Sequence, residues 1–249
     1  MAIKNIETAH LVHDLKNPVN IIETGARSLL DKQDRYGDLS PRQEKVIRRV
    51  LRSALKIKTL TGSMLEVDAA SRGVAKLSEC TLTDILNVAL MELFDIVDPE
   101  VSEQLEDTQD PALWRKTLNE NKVFIEADQA HLDHPILTDR IKMCLIVTNL
   151  LSNAMKYKQR DIFLRCSIDS ETVSVSVRDD GPGIPDAYHD QIFDQYFQCV
   201  PADEFPVRGH GLGLAGAQAL AEALGGRLSI CKSDKGAEFV VTISRKLRE

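Results

Sequence analysis

The sequence predicts an α+β protein, in which a helical hairpin precedes an α/β sandwich with helices on one face of a mixed β-sheet. Three observations support this prediction. Apolar residues recur every three or four positions between residues 3 and 67, which is the spacing of amphipathic helices. Beyond residue 160, apolar residues alternate with polar ones, as in half-buried strands. Helical and strand patterns then follow one another in an order that suits two packed layers.

Length and composition are those of a globular protein with more than one domain. Of 249 residues, 43% are hydrophobic and 28% are charged, and the formal net charge of -7 argues against a nucleic-acid partner. No apolar run approaches the roughly 20 residues that cross a bilayer, so we expect a cytoplasmic protein without a membrane segment. The cysteines form no C-x-x-C pair, so neither a disulfide framework nor a zinc site is predicted: Cys80, Cys144, Cys166, Cys199 and Cys231.

The first two elements form a helical hairpin. A helix over residues 3–34 is broken at Gly37, and Ser40-Pro41 signals the start of a second helix, with serine as N-cap and proline at the first helical position. Two helices cannot enclose a core alone, so we predict a homodimeric four-helix bundle. The predicted boundaries are residues 1–68 for the dimerising hairpin, 69–76 for a linker and 77–249 for the second domain.

The second domain is predicted to alternate between helices and strands. Helices are predicted over residues 83–97, 139–157 and 214–224, and strands over residues 122–127, 136–137, 162–168, 173–177, 227–231 and 237–243. Residues 98–121 show no clear period and are interpreted as a partly helical, solvated insertion, with a lid or docking surface as the alternative. His131 and His134 lie near aspartates, but the segment is irregular, and a metal site is not predicted there.

One histidine on the first helix has the surroundings of a nucleophile. His13 points roughly 150° away from the centre of the apolar stripe, so it faces water. Asp14 can accept an imidazole N–H, which fixes the tautomer and leaves the other ring nitrogen free. Asn17 lies one turn further on, and Pro18 removes a helical hydrogen bond, which predicts a bend beside His13. From its position alone, His13 would be interpreted as an ordinary surface histidine, and only its neighbours favour a nucleophile.

Three later segments have the residue types of a nucleotide site. Asn149 and Asn153 share a helical face, and their amide oxygens are hard ligands that suit Mg²⁺. Asp179 ends a predicted strand, where its carboxylate can accept an amine and the following glycines allow a base to approach the backbone. The glycines of residues 209–213 open a helix, whose N–H groups can bind phosphate. Taken singly, these are also ordinary features: a solvated helix face, a tight turn and a weak glycine pattern.

Together these segments resemble the catalytic core of two-component sensor histidine kinases. The family's boxes are matched in chain order by residues 13–18 (phospho-acceptor box), 149–157 (N box), 179–185 (G1), 191–197 (F box), 209–214 (G2) and 236–239 (closing box). The resemblance covers nearly the whole chain and implies the ATPase fold shared with gyrase and MutL. The chain has no G-x-x-x-x-G-K-[ST] sequence, so P-loop chemistry is not expected.

The resemblance implies that the protein autophosphorylates on His13 with ATP and passes the phosphoryl group to an aspartate of a response-regulator receiver domain. His13, Asp14 and Asn17 would be the catalytic residues, and Asn153 the Mg²⁺ ligand. The implied ATP-binding residues are Asn149, Asn153, Lys156, Tyr157, Asp179, Gly181, Gly183, Ile184, Phe197, Gly209, His210, Gly211, Leu212 and Gly213. The receiver would dock on a polar face formed by His13, Asn17, Asn20, Thr24 and Arg27. An upstream sensor domain or protein outside this sequence would supply the signal.

Several positions depart from the family pattern. Asp14 replaces a longer glutamate, Asp180 stands for asparagine in G1, and His210 replaces a small hydroxyl residue in G2. Gln195 occupies a position where the family has a basic residue facing the γ-phosphate. Two alternatives therefore stay open: a phosphatase-biased enzyme that uses Asn17, and a non-catalytic dimeric phosphotransfer scaffold whose nucleotide site has decayed.

Overall fold

The structure, a computed structural model, divides the chain into two compact units, Met1–Ala69 and Ala70–Glu249. It describes residues 2–31, 33–44, 46–51, 53–54, 57, 75–108, 110–194, 197, 213–233 and 235–245. Within these ranges, the side chains of residues 2–16, 33, 34 and 107 lie outside the description. The hinge residues 69–73 of the predicted linker also lie outside it.

The first unit is a helical hairpin. Helix α1 (Ala2–Asp31) continues through Pro18, and a short helix α2 (Gln33–Tyr36) follows it. Gly37, with φ 86°, ends this helical stretch. Helix α3 is described at residues 41–44, 46–51, 53–54 and 57.

The start of α3 confirms the predicted N-cap. Ser40 Oγ accepts a hydrogen bond from the Gln43 N–H at 3.4 Å, and Gln43 Oε1 accepts the Ser40 N–H at 2.9 Å. This reciprocal pair is a capping box, in which two N–H groups of the first turn find partners. The predicted loop between the two helices is therefore confirmed.

The hairpin leaves much of its apolar surface exposed in the single chain. Val19, Ala26 and Ala54 are buried, whereas Ile21 is 73% exposed and Val46 is 56% exposed. An apolar face of this kind is what a pair of helices presents before it packs against a partner.

The second unit combines a mixed sheet with helices. Its helices are α4 (Leu82–Val97), α5 (Pro99–Asp107), α6 (Pro111–Glu120), α7 (Gln129–Leu132), α8 (Arg140–Tyr157) and α9 (Gly213–Ala223). Its strands are β1 (Ser78–Cys80), β2 (Val123–Glu126), β3 (Ile136–Thr138), β4 (Ile162–Ile168), β5 (Thr172–Asp179), β6 (Arg227–Cys231) and β7 (Glu238–Ser244). Two 3₁₀ turns, Asp186–Tyr188 and Gln191–Phe193, lie between β5 and α9.

In the described part of the chain, five strands form the main sheet in the order β2-β4-β5-β7-β6. Strands β2 and β4 run parallel, and the other neighbours pair antiparallel, so the sheet is mixed, as predicted. Strand β1 was not predicted; it pairs with β3 in a separate two-stranded ribbon.

The core lies between one face of this sheet and the helices. Alternate side chains of each central strand are buried, as Leu164 of β4, Val175 of β5 and Val241 of β7 show. Helices α4 and α8 bury apolar stripes, and Leu86 and Leu150 are fully buried. Burying a side chain of this size contributes about 1.5–3 kcal/mol, so the helix-on-sheet contact is the main source of stability of this unit.

Helix α9 ends as its sequence predicts. Gly225 adopts φ 67°, and its N–H donates to Glu222 O at 2.9 Å, while the Gly226 N–H donates to Ala221 O at 2.9 Å. These two bonds form a Schellman motif, in which a glycine in the left-handed region stops the helix. The chain then enters β6.

Residues 98–121 are not solvated decoration, so that interpretation was wrong. They form α5 and α6, which pack against the core. Four apolar side chains of this segment are buried: Val101, Leu105, Trp114 and Leu118. Each helix is short and contributes one i, i+4 apolar pair, so the period is too brief to be recognised in the sequence.

Helix α6 also covers the edge of the sheet. Arg115 donates hydrogen bonds to Ile125 O at 3.0 Å and to Ala127 O at 2.7 Å. Ile125 lies on β2, an edge strand of the sheet, and Ala127 is the first residue after that strand. Unpaired groups on an edge strand invite aggregation, and the guanidinium group satisfies one carbonyl on β2 and one directly after it.

We expect Arg115→Ala to lower the free energy of unfolding of the second unit by about 1–3 kcal/mol, because two half-buried carbonyls lose a charged donor. Urea unfolding followed by the fluorescence of Trp114, the only tryptophan, measures this change. Lys116→Ala is the matched control, since Lys116 is an exposed neighbour 3.8 Å from Glu120, and its loss should change stability by less than about 0.5 kcal/mol. Equal effects of the two substitutions would contradict the edge-protection role.

A further finding concerns the histidines and aspartates between residues 128 and 139. Within the described ranges, no three His, Cys, Asp or Glu side chains are arranged to hold a metal ion. His134 Nε2 instead lies 2.7 Å from Arg245, and Asp139 caps α8.

Among the helices that the structure describes, none has both the length and the apolarity to cross a membrane.

Candidate nucleotide-binding site

Helix α8 carries the two predicted asparagines on one half-buried face. The helix begins at its N-cap Asp139, whose side chain accepts the Lys142 N–H at 3.1 Å. Asn149 Nδ2 donates to Leu145 O at 3.0 Å. Its Oδ1 faces the first residue of α9, because a Cβ added to Gly213 would lie 3.1 Å from that oxygen. Asn149 and the last residue of the predicted phosphate-binding glycine segment are therefore neighbours.

Asp179, at the end of β5, is a buried carboxylate that is only 4% exposed. Its Oδ1 accepts the Gly181 N–H at 2.8 Å and the Ala237 N–H at 3.3 Å. Oδ2 receives no hydrogen bond from any residue that the structure describes. Burial raises the pKa of the Asp179 carboxyl above its usual value, although the two N–H groups act in the opposite direction.

The backbone around Asp179 is packed too closely for any residue but glycine at two positions, one in the loop after Asp179 and one in the segment before β7. A Cβ on Gly181 would overlap the carbonyl oxygen of Tyr157, at the end of α8. Gly236 adopts φ 73°, and a Cβ there would overlap the carbonyl oxygen of Asp179. Gly183 packs against the Gly236 carbonyl, with a Cβ position 3.0 Å from its oxygen. The G1 loop is thus held between α8 and the segment before β7.

Asp180, one of the departures from the family pattern, has a structural role. Its Oδ1 accepts the backbone N–H groups of Gln159 and Arg160 at 2.9 Å and of Asp161 at 3.1 Å. Burial raises the pKa of the Asp180 carboxyl, but these N–H groups more than offset it and hold the pKa below its usual value. An asparagine could accept the same bonds through its oxygen, which explains why either residue type suits this position.

We expect Asp180→Ala to lower the free energy of unfolding by about 1–2 kcal/mol, because three N–H groups lose their acceptor. Asp180→Asn is the matched control and should cost less than about 1 kcal/mol. Because the pKa of Asp180 is lowered in the folded chain, its carboxylate stabilises the fold fully above the ordinary pKa of about 3.9. This stabilisation is lost as the pH falls through the folded pKa. Urea unfolding at pH 7 and pH 3 tests this, and an alanine effect that grows at pH 3 would contradict it.

Lys156 and Tyr157 lie together at the end of α8. Lys156 Nζ donates to the Tyr157 hydroxyl at 2.8 Å and lies 4.5 Å from the centre of its ring. This cation–π contact keeps the ammonium group beside Tyr157, and both residues are among those that the resemblance implies for ATP binding.

The segment after the G1 loop leads from Ile184 to Phe197, both half-buried against the core. The Phe197 ring lies 5.7 Å from that of Tyr188, and the Phe193 ring packs edge-on against Phe239 at 6.4 Å. His189, which the sequence did not single out, places Nε2 2.9 Å from Ile184 O. A lone loop histidine gives no sequence signal, so this contact could not have been predicted.

Several predicted site residues lie outside the described residues: Gln195, Gly209, His210, Gly211 and Leu212. The backbone of α1 runs through His13 and Asp14, but their side chains lie outside the description as well. Asn17 is exposed on α1.

The models of two protein families match the two units in turn. Residues 3–72 match the "His Kinase A (phospho-acceptor) domain", and residues 138–247 match the "Histidine kinase-, DNA gyrase B-, and HSP90-like ATPase" family. Together these two domains are the catalytic core of a sensor histidine kinase. The predicted family and fold class are thereby confirmed.

Relatives of this sensor histidine kinase include two curated bacterial sensor proteins. It is 27% identical over 235 residues to the aerobic respiration control sensor protein ArcB of Escherichia coli K12, a match that covers 93% of this chain and 27% of ArcB. It is 26% identical over 232 residues to the sensor histidine kinase YkoH of Bacillus subtilis, covering 93% of this chain and 45% of YkoH. The chain thus spans less than half the length of these relatives.

Two solved histidine kinases share the fold of this sensor histidine kinase. Full-length ShkA in complex with AMPPNP aligns with a TM-score of 0.63 and 23% identity, over 95% of this chain and 45% of ShkA. The Acinetobacter baumannii histidine kinase AdeS aligns with a TM-score of 0.57 and 18% identity, over 94% of this chain and 98% of AdeS.

Proposed function

We propose that this sensor histidine kinase binds ATP in its second unit and transfers the γ-phosphoryl group to His13. The observation that carries the proposal is the meeting of segments that are far apart in sequence. Gly181 contacts the end of α8, Gly236 contacts Asp179, and Gly213 contacts Asn149. The first turn of α9 therefore contacts the N box, the end of the N-box helix contacts the G1 loop, and the G1 loop contacts the closing segment.

The adenine of ATP would bind beside Asp179. The Oδ2 atom of Asp179 is the oxygen left without a described partner, so it can accept the exocyclic amine of the base. Gly181 lets the G1 loop pack directly against the carbonyl of Tyr157, which holds Asp179 next to the end of α8. The triphosphate would extend toward the N-terminus of α9, where N–H groups at the positive end of the helix favour anions.

The residues present also fit a magnesium ion. Asn149 and Asn153 lie on the same face of α8, and Asn153 makes no hydrogen bond to the residues described, so its amide oxygen is available. The proposed ligand is Asn153. When bound there, Mg²⁺ offsets the charge of the phosphates.

The phosphoryl transfer would use the imidazole of His13 as nucleophile. Its unprotonated ring nitrogen attacks the γ-phosphorus, and the N–P bond forms as the bond to the β,γ-bridging oxygen breaks and ADP leaves. Asp14 accepts the hydrogen bond of the other ring N–H and takes up its proton. An aspartate carboxylate of a receiver domain then attacks the phosphorus, and the new O–P bond forms as the N–P bond breaks. Asp14 returns its proton to the imidazole, which restores His13.

The surface of the first unit supports the partner proposals. An open groove on α1 begins one turn after His13, and its lining residues are Asn17, Asn20, Ile21, Thr24, Gly25, Ser28 and Tyr36. A Cβ added to Gly25 would contact nothing within 4 Å, so a docking receiver domain could approach the helix closely there. The exposed Val46 and Val50 of α3, which do not line this groove, support a homodimer, in which a second hairpin would cover apolar surface.

Incubation with γ-labelled ATP and Mg²⁺ tests the kinase. We expect an acid-labile, alkali-stable label on the chain, which is the signature of phosphohistidine. Nucleotide binding without any label would favour the phosphatase-biased enzyme, in which the exposed Asn17 positions water against a phosphorylated receiver. Absence of nucleotide binding would contradict the proposal and favour the scaffold.

A further inference from the structure

We propose that His189 is a positioning residue of the nucleotide site, which fixes the backbone where the chain leaves the G1 loop. This inference rests on the proposed ATP site, because its consequence is measured on nucleotide binding. His189 would not touch the phosphates or His13.

A short turn brings the His189 ring back over Ile184. The 3₁₀ turn Asp186–Tyr188 is closed by Tyr188 N–H donating to Pro185 O at 2.9 Å and His189 N–H donating to Asp186 O at 3.2 Å. His189 Nε2 then lies 2.9 Å from Ile184 O. Since a carbonyl can only accept, the ring nitrogen is the donor, which requires the proton on Nε2.

The carbonyl that His189 binds belongs to the loop that forms the site. Ile184 follows Gly183, which adopts φ 75° and packs against the carbonyl of Gly236. The Ile184 side chain packs against the core, so both the side chain and the main chain of this residue are anchored. The His189 side chain is only 21% exposed, which shields the hydrogen bond in part from competing water.

The same turn contacts two other parts of the second unit. Asp186 Oδ1 lies 3.7 Å from His189 Nε2, and Asp186 Oδ2 lies 3.3 Å from Lys232 Nζ, just after β6. Asp186 is 73% and Lys232 is 85% exposed, so this ion pair is screened by solvent and contributes little. The Tyr188 ring contacts Phe197. Besides the backbone hydrogen bond from Tyr188 to Pro185, the shielded His189 bond therefore gives the turn a side-chain link to the G1 loop.

Loss of this bond is expected to weaken ATP binding without slowing the chemical step. An unanchored Ile184 backbone must be ordered when the base binds, which lowers affinity. We expect His189→Ala to raise the Kd for an ATP analogue and the KM for ATP by about three- to tenfold, the equivalent of one neutral hydrogen bond, with kcat within about twofold.

The variants separate the hydrogen bond from the packing of the ring. His189→Gln places an amide N–H near the position of Nε2 and should restore binding to within about twofold of the wild type. His189→Asn is shorter, cannot reach the carbonyl, and should behave like His189→Ala; it also serves if the alanine variant does not fold. His131→Ala is the matched control, because His131 is 54% exposed and lies beside Asp128 on α7.

Titration calorimetry with AMPPNP and autophosphorylation kinetics give the readouts. Wild-type affinity in His189→Ala and His189→Asn would overturn the inference, and so would a glutamine variant as weak as alanine, or a loss confined to kcat. Asp179→Asn is measured alongside. If Asp179→Asn and the His189 variants all bind AMPPNP like the wild type, the proposed nucleotide site is wrong. If Asp179→Asn loses binding and the His189 variants do not, the site stands and only the role proposed for His189 is wrong.

Discussion

His13→Gln is expected to reduce autophosphorylation to background while nucleotide binding stays unchanged. The amide of glutamine has a size and polarity close to those of imidazole, but its nitrogen has no available lone pair and cannot form the N–P bond. The ATP site is built from residues of the second unit, so affinity for AMPPNP should match that of the wild type. Labelling with γ-labelled ATP and titration calorimetry measure the two properties.

The matched control for this experiment lies three residues earlier on the same helix. His10→Gln makes the same chemical change outside the phospho-acceptor box and should leave the label at the wild-type level. If the label is retained in His13→Gln but lost in His10→Gln, the phosphorylated residue is His10 and not His13. Loss in both variants, with normal AMPPNP binding, would indicate that α1 rather than a particular imidazole is affected.

Asp179→Asn is expected to weaken ATP binding by about 100-fold or more. The new side chain keeps the shape of the old one, and its oxygen can still accept the N–H groups of Gly181 and Ala237. The atom that replaces Oδ2 becomes an NH₂ donor, however, and would face the donor amine of adenine. Titration with AMPPNP measures the loss, and an unchanged affinity would remove Asp179 from the base pocket.

The same substitution should not destabilise the protein without nucleotide. Because the folded pKa of Asp179 is raised, the buried carboxylate is less favourable in the folded than in the unfolded chain at neutral pH. The Tm of Asp179→Asn at pH 7 should therefore equal or exceed that of the wild type. As the pH falls through the raised pKa, the wild type takes up a proton and the difference should shrink. A large loss of Tm at pH 7 would show that the carboxylate is stabilising.

The elements predicted correctly are those whose signal is local. Ser40 and Gln43 cap α3 within four residues, Gly225 and Gly226 stop α9, and the alternation of β4 needs only its own seven residues. Such patterns depend on the period of a helix or strand and on the few residue types that terminate it.

The elements that were missed depend on partners far away in the chain. Strand β1 has three residues and exists because it pairs with β3, in the register Ser78 to Thr138. Residues 98–121 were expected to be partly helical, and the Asp-Pro pairs at Asp98 and Asp110 could have located the starts of α5 and α6. The burial of these two helices was missed, because it depends on packing against the rest of the unit.

The candidate site shows the same division. The residue types at Asn149 and Asp179 could be recognised from motifs, but the contacts between segments could not. Gly236 meets Asp179 because β5 and β7 are adjacent in the sheet, which no local pattern encodes. Asp180 was recognised only as a departure from the family pattern. Its hydrogen bonds to residues 159–161 depend on the path of the chain between α8 and β4, which the sequence does not predict.

The position of β7 has a consequence for the order of events during synthesis. This strand is the last of the described elements in sequence, yet it lies between β5 and β6 and supplies the backbone that meets Asp179. The ribosome adds about 5–20 residues per second, so residues 236–244 emerge after all the other described elements. Until they emerge, β6 lacks its pairing strand β7, and Asp179 lacks the N–H group of Ala237, one of its two donors. A nascent chain stalled before that point would carry every other box of the kinase and still be unable to assemble the base pocket.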